Sequence, residues 1–109
     1  MMKTFCMILG VACLPTTLHA AEMDGDAAYA LLKKNDCFKC HAMDKKKSGK
    51  PYKEVAKEYR GKADAEEKLF KHLTTGPKVK IDGKEETHKI IKSESDDATR
   101  MLIRWILSL

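Results

Sequence analysis

Two cysteines and a histidine fall within five consecutive residues, Cys37-Phe38-Lys39-Cys40-His41. Thiols three positions apart lie on the same side of a single helical turn, so both can reach one edge of a common partner. The histidine that follows the second thiol then directs its imidazole beneath that partner. The pattern C-x-x-C-H is typical of covalent haem attachment, in which the thiols form two thioethers and His41 binds the iron.

Three other interpretations of the cysteine pair stay open at this point. A thioredoxin-like redox disulfide is expected in a βαβ setting, and this sequence has little strand character. A structural zinc site usually needs four ligands and a second cluster, and the adjacency of Cys40 and His41 hinders joint ligation. A plain structural disulfide leaves His41 without a role.

The first twenty residues are typical of a secretory signal peptide. Lys3 gives a basic start, an apolar stretch runs from Phe5 to Leu14, Pro15 breaks it, and a short segment of polar and small residues follows. The apolar stretch is shorter than the roughly 20 residues that cross a bilayer, which disfavours an uncleaved anchor. We therefore expect residues 1–20 to be a signal peptide, residues 21–109 to form one domain, and the mature protein to be periplasmic without a transmembrane anchor.

Size and composition limit what the mature chain can be. Cleavage would remove Cys6 and Cys13 and leave one pair of cysteines in 89 residues. A hydrophobic content of 43% excludes a disordered tail and a membrane bundle, and an exported chain with only 6% aromatic residues is not expected to bind nucleic acid. A domain this small buries a modest core, so it often needs a disulfide, metal or cofactor to stabilise it.

Hydrophobic periodicity predicts four short helices and no convincing strand. We expect Asp24 to cap the first helix, Asp64 and Glu67 to form a capping box on the third, and Ser95 or Asp96 to cap the last. The polar segment 78–94 is predicted to be an irregular loop, which in so small a domain needs something to organise it. The predicted helices span residues 24–35, 52–60, 64 to the Gly76-Pro77 pair, and 95–109.

The chain resembles the class I c-type cytochromes, and within them the small bacterial c551/c552 type. The resemblance covers nearly the whole mature chain. It implies an all-α class I cytochrome c fold, with about four short helices around one covalently bound haem c, and it implies electron transfer instead of enzymatic turnover. The residues that carry it are the C-x-x-C-H motif, Ala42–Lys46 with Gly49 and Tyr52–Ala56, the third helix from Asp64 to Gly76, and the closing Arg104–Leu109.

The sequence departs from the family pattern after the haem motif. In the family a Gly-Pro pair follows the motif, and the proline carbonyl accepts a hydrogen bond from the proximal imidazole. Here Lys50 separates Gly49 from Pro51. A ligating histidine normally anchors its second ring nitrogen, so we expect a carbonyl of residues 49–51 to accept from His41.

A second departure concerns the distal iron ligand. The family's methionine lies in the loop before the last helix, but segment 78–94 contains no methionine. His88 stands at the corresponding place, 17 residues before Trp105. We therefore predict that His88 is the distal ligand opposite His41. Histidine in place of methionine predicts a lower potential than is ordinary for the family.

Other distal candidates are weaker. Met43 lies two residues past His41, on the wrong side of the haem, and Met101 lies on the apolar face of the last helix. His72 lies within the third helix, where we expect a solvated imidazole. Lys89 is usually protonated at neutral pH. An open or water-bound site is the remaining possibility.

These features predict an exported mono-haem carrier of one electron. The alternative is a haem protein that binds or senses NO or CO, should His88 be weakly held. No nucleophile or acid–base arrangement indicates an enzyme. Residues 33–53 contain eight lysines and two acids, which could steer an acidic redox partner protein, although a merely solvated face explains the same charge.

Overall fold

The computed structural model describes residues 10–15 and 22–109, and its main elements are four α-helices. The predicted, mainly helical class is therefore confirmed. Most of the expected signal peptide, residues 1–20, lies outside the described residues, while residues 10–15 are exposed and have no regular structure. The helices are α1 (Gly25–Lys34), α2 (Tyr52–Tyr59), α3 (Ala65–Thr75) and α4 (Asp96–Leu107), with a 3₁₀ turn at Cys37–Lys39.

Two predicted helix caps are confirmed and one is wrong. The Asp24 carboxylate accepts a hydrogen bond from the Ala27 amide at 2.8 Å, and the Ser95 hydroxyl accepts from the Ala98 amide at 3.1 Å. Asp64 makes no side-chain cap and instead pairs with Lys68 Nζ at 3.2 Å, one turn along α3. The carboxylate therefore binds a cation on the helix surface in place of a backbone amide.

Segment 78–94 is not wholly irregular, so the prediction of no strand is wrong. Lys78–Ile81 (β1) pairs antiparallel with Lys84–Thr87 (β2), with Ile81 opposite Lys84 in the register. Asp82 and Gly83, with φ of 50° and 80°, form the connection. Positive φ at both central residues is what a two-residue hairpin turn requires, and Asp-Gly is a strong signal for it. Every residue of β2 is exposed, so no apolar alternation marks that strand in the sequence.

The core is the contact between the first and last helices, closed by the start of α2. Ala28 and Leu32 project from α1 and Leu102 and Ile106 from α4, and all four are buried together with Tyr52. This packing fixes the end of α1, from which the cysteine motif continues.

Ion pairs join α3 to α4 on the surface. Glu66 accepts two hydrogen bonds from Arg104, at 3.0 and 3.1 Å, and one from Arg100 at 3.4 Å. The Arg100 guanidinium also lies over the Phe70 ring, 4.1 Å from its centroid. The hydrogen bonds from Arg104 lower the pKa of Glu66, so the folded state favours its ionised carboxylate.

Across residues 10–15 and 22–109 we find no helix with the length and apolar character that a membrane crossing requires.

Candidate functional site

The turn after α1 holds both cysteines of the motif within one short stretch of chain. Asp36 adopts a left-handed conformation, with φ of 57°, which reverses the chain at the end of α1. The amides of Cys40 and His41 then donate to the Cys37 carbonyl, at 3.2 and 2.9 Å. Cys37 and Cys40 are both half-buried, and burial raises the pKa of the Cys37 thiol. The structure thus has the single turn that the spacing predicts.

His41 is held in one orientation by the loop that follows it. Its Nδ1 lies 2.7 Å from the Lys50 carbonyl oxygen. A carbonyl oxygen can only accept, so Nδ1 carries the proton and Nε2 keeps the lone pair that binds a metal. The acceptor falls within the predicted stretch, residues 49–51.

Two close contacts confine the His41 ring further. A Cβ at position 49 would lie 2.6 Å from His41 Cε1, so only glycine fits there. On another side the buried Tyr52 ring lies against the imidazole, with centroids 5.0 Å apart and planes inclined by 30°. Burial raises the pKa of Tyr52, so its hydroxyl stays protonated. These contacts leave the ring little freedom to rotate.

His88 directly follows β2 and is also anchored at Nδ1. Its amide donates to the Pro77 carbonyl at 2.8 Å, and its ring Nδ1 lies 2.9 Å from the Lys89 carbonyl. Gly76 makes room for this segment, because a Cβ there would lie 3.0 Å from the His88 carbonyl. Burial lowers the pKa of His88 and outweighs the hydrogen bond to the Lys89 carbonyl, which acts to raise it, and the nearby His41 lowers it further. The neutral ring with a free Nε2 is the form that ligates iron.

The distance between the rings of His41 and His88 suits the binding of one metal ion by both. Their ring centroids are 6.4 Å apart and their planes are inclined by 53°. Two imidazoles that bind one metal ion from opposite sides, with bonds of about 2.0–2.1 Å, have centroids about 6.3 Å apart. With both thiols beside His41, the residues present therefore fit a covalently attached haem.

His72 is a site residue that the sequence reasoning misjudged. It is half-buried instead of solvated, and its ring centroid lies 4.3 Å from that of His88. Burial lowers the pKa of His72, with smaller effects from His88 and His41. The signal in the sequence was its spacing from Leu69, which places both residues on one face of α3. Met43, the weaker candidate, is partly buried against the hydrophobic core.

The lysines of residues 33–53 are all exposed, but several have partners. Lys53 pairs with Asp44 at 2.6 Å, Lys50 pairs with Glu58 at 2.7 Å, and Lys47 donates to the Phe38 carbonyl at 2.7 Å. Within the described part of the chain, Lys45 and Lys46 have no ion-pair partner. These two lysines follow the haem motif by four and five positions, and Lys33 and Lys34, which precede it, likewise have no ion-pair partner among the described residues.

Comparison with known sequences extends this picture. The sequence profile of the cytochrome c family matches residues 25–109. The chain is 33% identical over 92 residues to cytochrome c-551 of Pseudomonas aeruginosa, covering 84% of this chain and 86% of that protein. It is 37% identical over 83 residues to cytochrome c2 of Rhodocyclus tenuis, covering 73% and 89%.

Solved structures give the same result for the fold. The class 1 cytochrome MtoD from Sideroxydans lithotrophicus ES-1 superimposes with a TM-score of 0.72 at 54% identity, covering 78% of this chain and 95% of MtoD. Wild-type cytochrome c552 of Nitrosomonas europaea superimposes with a TM-score of 0.60 at 30% identity, covering 74% and 98%.

Proposed function

Because the chain belongs to the cytochrome c family, as a small class I c-type cytochrome, we propose that Cys37 and Cys40 attach its haem and that His41 and His88 bind the iron. Members of this family carry one covalently attached haem c and are electron-transfer proteins, not enzymes. When bound, haem c supplies an iron that gains and loses one electron. The residues of this chain supply attachment, axial ligation and a surface for redox partners.

The thiol pair supports the attachment. Both sulfurs project from one short turn whose backbone hydrogen bonds fix their spacing. Each thiol can then form a thioether with one vinyl group on the same edge of the porphyrin. Within the described residues Cys13 is the only other cysteine, and it lies in the expected signal peptide.

The observation that carries the ligand proposal is the relation between the two imidazoles. Their 6.4 Å separation matches ligation of a single iron, and each ring anchors its Nδ1 on a backbone carbonyl. Such anchoring is normal for metal-binding histidines, since it fixes the ring and raises the basicity of the other nitrogen. Two independent features therefore favour His88 as the distal ligand.

Bis-histidine ligation predicts a low potential. Methionine as an axial ligand raises the potential of cytochromes c, so imidazole in its place favours the oxidised iron. The hydrogen bond from each Nδ1 to a backbone carbonyl strengthens that preference. It makes the imidazole more basic, and a more basic imidazole binds the oxidised iron more strongly than the reduced iron. We place the potential of this protein below that of family members with a methionine ligand.

Export to the periplasm fits the start of the chain. Residues 1–20 have the basic start, short apolar stretch and small residues of a signal peptide, which leaves residues 21–109 as the mature protein. Val11 and Leu14, within the apolar stretch, are 88% and 82% exposed, so they contribute nothing to the core. The proposed attachment residues, Cys37 and Cys40, both lie in residues 21–109.

We also propose that Lys45 and Lys46 attract an acidic redox partner. Both are exposed and free of ion pairs among the described residues, and they lie in a window of the sequence that carries a net charge of +6. Charges of this kind act mainly on the rate of encounter, and their effect falls as salt rises. Binding of NO or CO as a function is not proposed, because such a ligand would first have to displace His88.

Mass spectrometry of the purified protein tests the attachment. The intact mass should equal residues 21–109 plus one haem, and acid–organic extraction should leave the haem on the polypeptide. Cys37→Ala should lose one thioether and mature poorly, whereas Lys39→Ala, within the same turn, should mature like the wild type. A haem that extracts freely from the wild type would contradict the proposal.

A further inference from the structure

Asn35 is a buried amide at the end of α1, two residues before the first cysteine of the haem motif. Only 6% of its surface is exposed. Its Nδ2 donates to the carbonyls of Leu31 and Lys92, both at 2.9 Å, and its Oδ1 accepts from the Lys92 amide at 2.7 Å. The side chain thus binds both backbone groups of a residue 57 positions away.

The partner, Lys92, ends the short segment that begins at His88. On one side this segment is attached to the end of α3, because the His88 amide donates to Pro77 at 2.8 Å and the Ile91 amide donates to Leu73 at 2.9 Å. On the other side its attachment is to the residues that precede Cys37. Segment 88–92 therefore extends from α3 to the haem motif.

Two contacts make that second attachment, and they differ in strength. Lys89 Nζ pairs with Asp36 at 2.7 Å, but these side chains are 64% and 45% exposed, and exposed pairs contribute little. The Asn35 contacts are part-buried. Breaking them would leave buried polar groups without partners, which costs more than an exposed ion pair contributes. Asn35 is therefore the main link between segment 88–92 and the motif.

We propose that Asn35 is a positioning residue for the distal ligand: by holding Lys92 it keeps segment 88–92 in place and slows the release of His88 from the iron. This inference rests on the proposed ligation by His88. Asn35 touches neither the iron nor the imidazole, so its effect is on how often His88 leaves. An external ligand can bind the iron only during such departures.

Carbon monoxide binding to the reduced holoprotein measures that release. Asn35→Ala should bind CO about tenfold faster than the wild type, as expected for the loss of one or two buried hydrogen bonds. Asn35→Ser keeps a hydroxyl that can serve only part of this set of backbone groups, so its rate should lie between those of the wild type and Asn35→Ala, and it replaces the alanine variant should that variant not fold. Each variant is first matched to the wild type for haem content by mass.

Thr99→Val is the matched control. Thr99 is a buried residue of α4 whose hydroxyl lies 2.7 Å from that of Ser93, so the substitution loses a hydrogen bond just beyond segment 88–92. It should lower thermal stability without changing the CO rate. An equal acceleration in Thr99→Val would show that general loosening is the cause and would overturn the proposal.

Combining Asn35→Ala with His88→Ala separates the proposed role of Asn35 from the proposed ligation by His88. With the distal ligand gone, CO binding should already be fast, and Asn35→Ala should add nothing. A further acceleration in that background, or a wild-type rate in Asn35→Ala alone, would overturn the role of Asn35 while leaving His88 ligation intact. An unchanged rate in His88→Ala itself would overturn both.

Discussion

The imidazoles of His41 and His88 lie with their ring centroids 6.4 Å apart, and each donates from Nδ1 to a backbone carbonyl. The two carbonyls belong to Lys50 and Lys89, each within the loop that positions its histidine. In both rings the proton is then on Nδ1, and Nε2 is the nitrogen left for a metal ion. Burial and the proximity of His41 keep His88 neutral by lowering its pKa, which favours ligation.

Removal of the distal imidazole should open the iron site. In His88→Ala we expect the oxidised protein to shift toward high spin and the reduced protein to bind CO quickly, measured by absorption spectroscopy and stopped-flow mixing. His72→Ala is the control, because His72 contacts His88 but is not assigned to the iron. A high-spin His72→Ala beside an unchanged His88→Ala would transfer the ligand role to His72.

A methyl group at position 49 should disturb the proximal side. The Cβ of Gly49→Ala would lie 2.6 Å from His41 Cε1 and 2.9 Å from the Cys40 carbonyl, so the ring and the loop must move. Overpacking of this kind costs about 1–3 kcal/mol of unfolding free energy, measured by denaturant titration of the holoprotein. Gly25→Ala, whose nearest contact would be an ordinary 4.0 Å, should cost far less. Equal losses in the two variants would contradict the account.

Charge reversal at Lys45 and Lys46 should change the rate of electron transfer according to the charge of the reagent. The double variant with both lysines changed to Glu should react more slowly than the wild type with an anionic oxidant such as ferricyanide, and faster with a cationic cobalt complex. Both effects should fade as salt rises, because screening shortens the range of the charges. Reversal of Lys57 and Lys71, outside the lysine-rich window, should have a smaller effect. If the electron-transfer rates do not change with ionic strength, the lysines form a solvated surface with no role in the encounter.

The ion pairs between α3 and α4 predict a dependence of stability on pH. Hydrogen bonds from Arg104 lower the pKa of Glu66 below its ordinary 4.5, so the folded state binds this proton more weakly than the unfolded state. The stabilisation is then fully present above pH 4.5 and is lost as pH falls through the lowered value. The wild type should melt higher than Glu66→Gln at pH 7, and the difference should vanish in acid.

Glu85→Gln provides the comparison for that series. Glu85 is exposed on β2, and no ion pair holds it among the described residues, so its substitution should leave the melting temperature nearly unchanged. A difference between wild type and Glu66→Gln that shows no decline as the pH is lowered below 4.5 would show that the contact acts through packing and not through the charge.

Much of the fold could be predicted because local signals agreed with the tertiary packing. Asp24 and Ser95 cap helices whose apolar faces recur at three- and four-residue steps, and those faces form the core. The C-x-x-C-H motif predicts a single turn between its cysteines, since their spacing of three residues restricts the backbone conformation that connects them. The location of His88 followed from its distance to Trp105 in a chain that resembles a known family.

The parts that escaped prediction depend on long-range contacts. The hairpin was missed because β2 is exposed on both faces, although Asp82 and Gly83 signalled its turn. His72 was expected in solvent because nothing local shows that His88 covers it. The role of Asn35 needs a partner 57 residues away, which no periodicity within α1 could indicate.

The most direct test of the central claim is the near-infrared magnetic circular dichroism of the oxidised holoprotein, since the charge-transfer band there identifies the axial ligands. We predict the band of bis-imidazole ligation in the wild type, and the band of histidine–methionine ligation together with a higher potential in His88→Met. A wild-type spectrum with a methionine band, or that of a high-spin iron, would contradict ligation by His88.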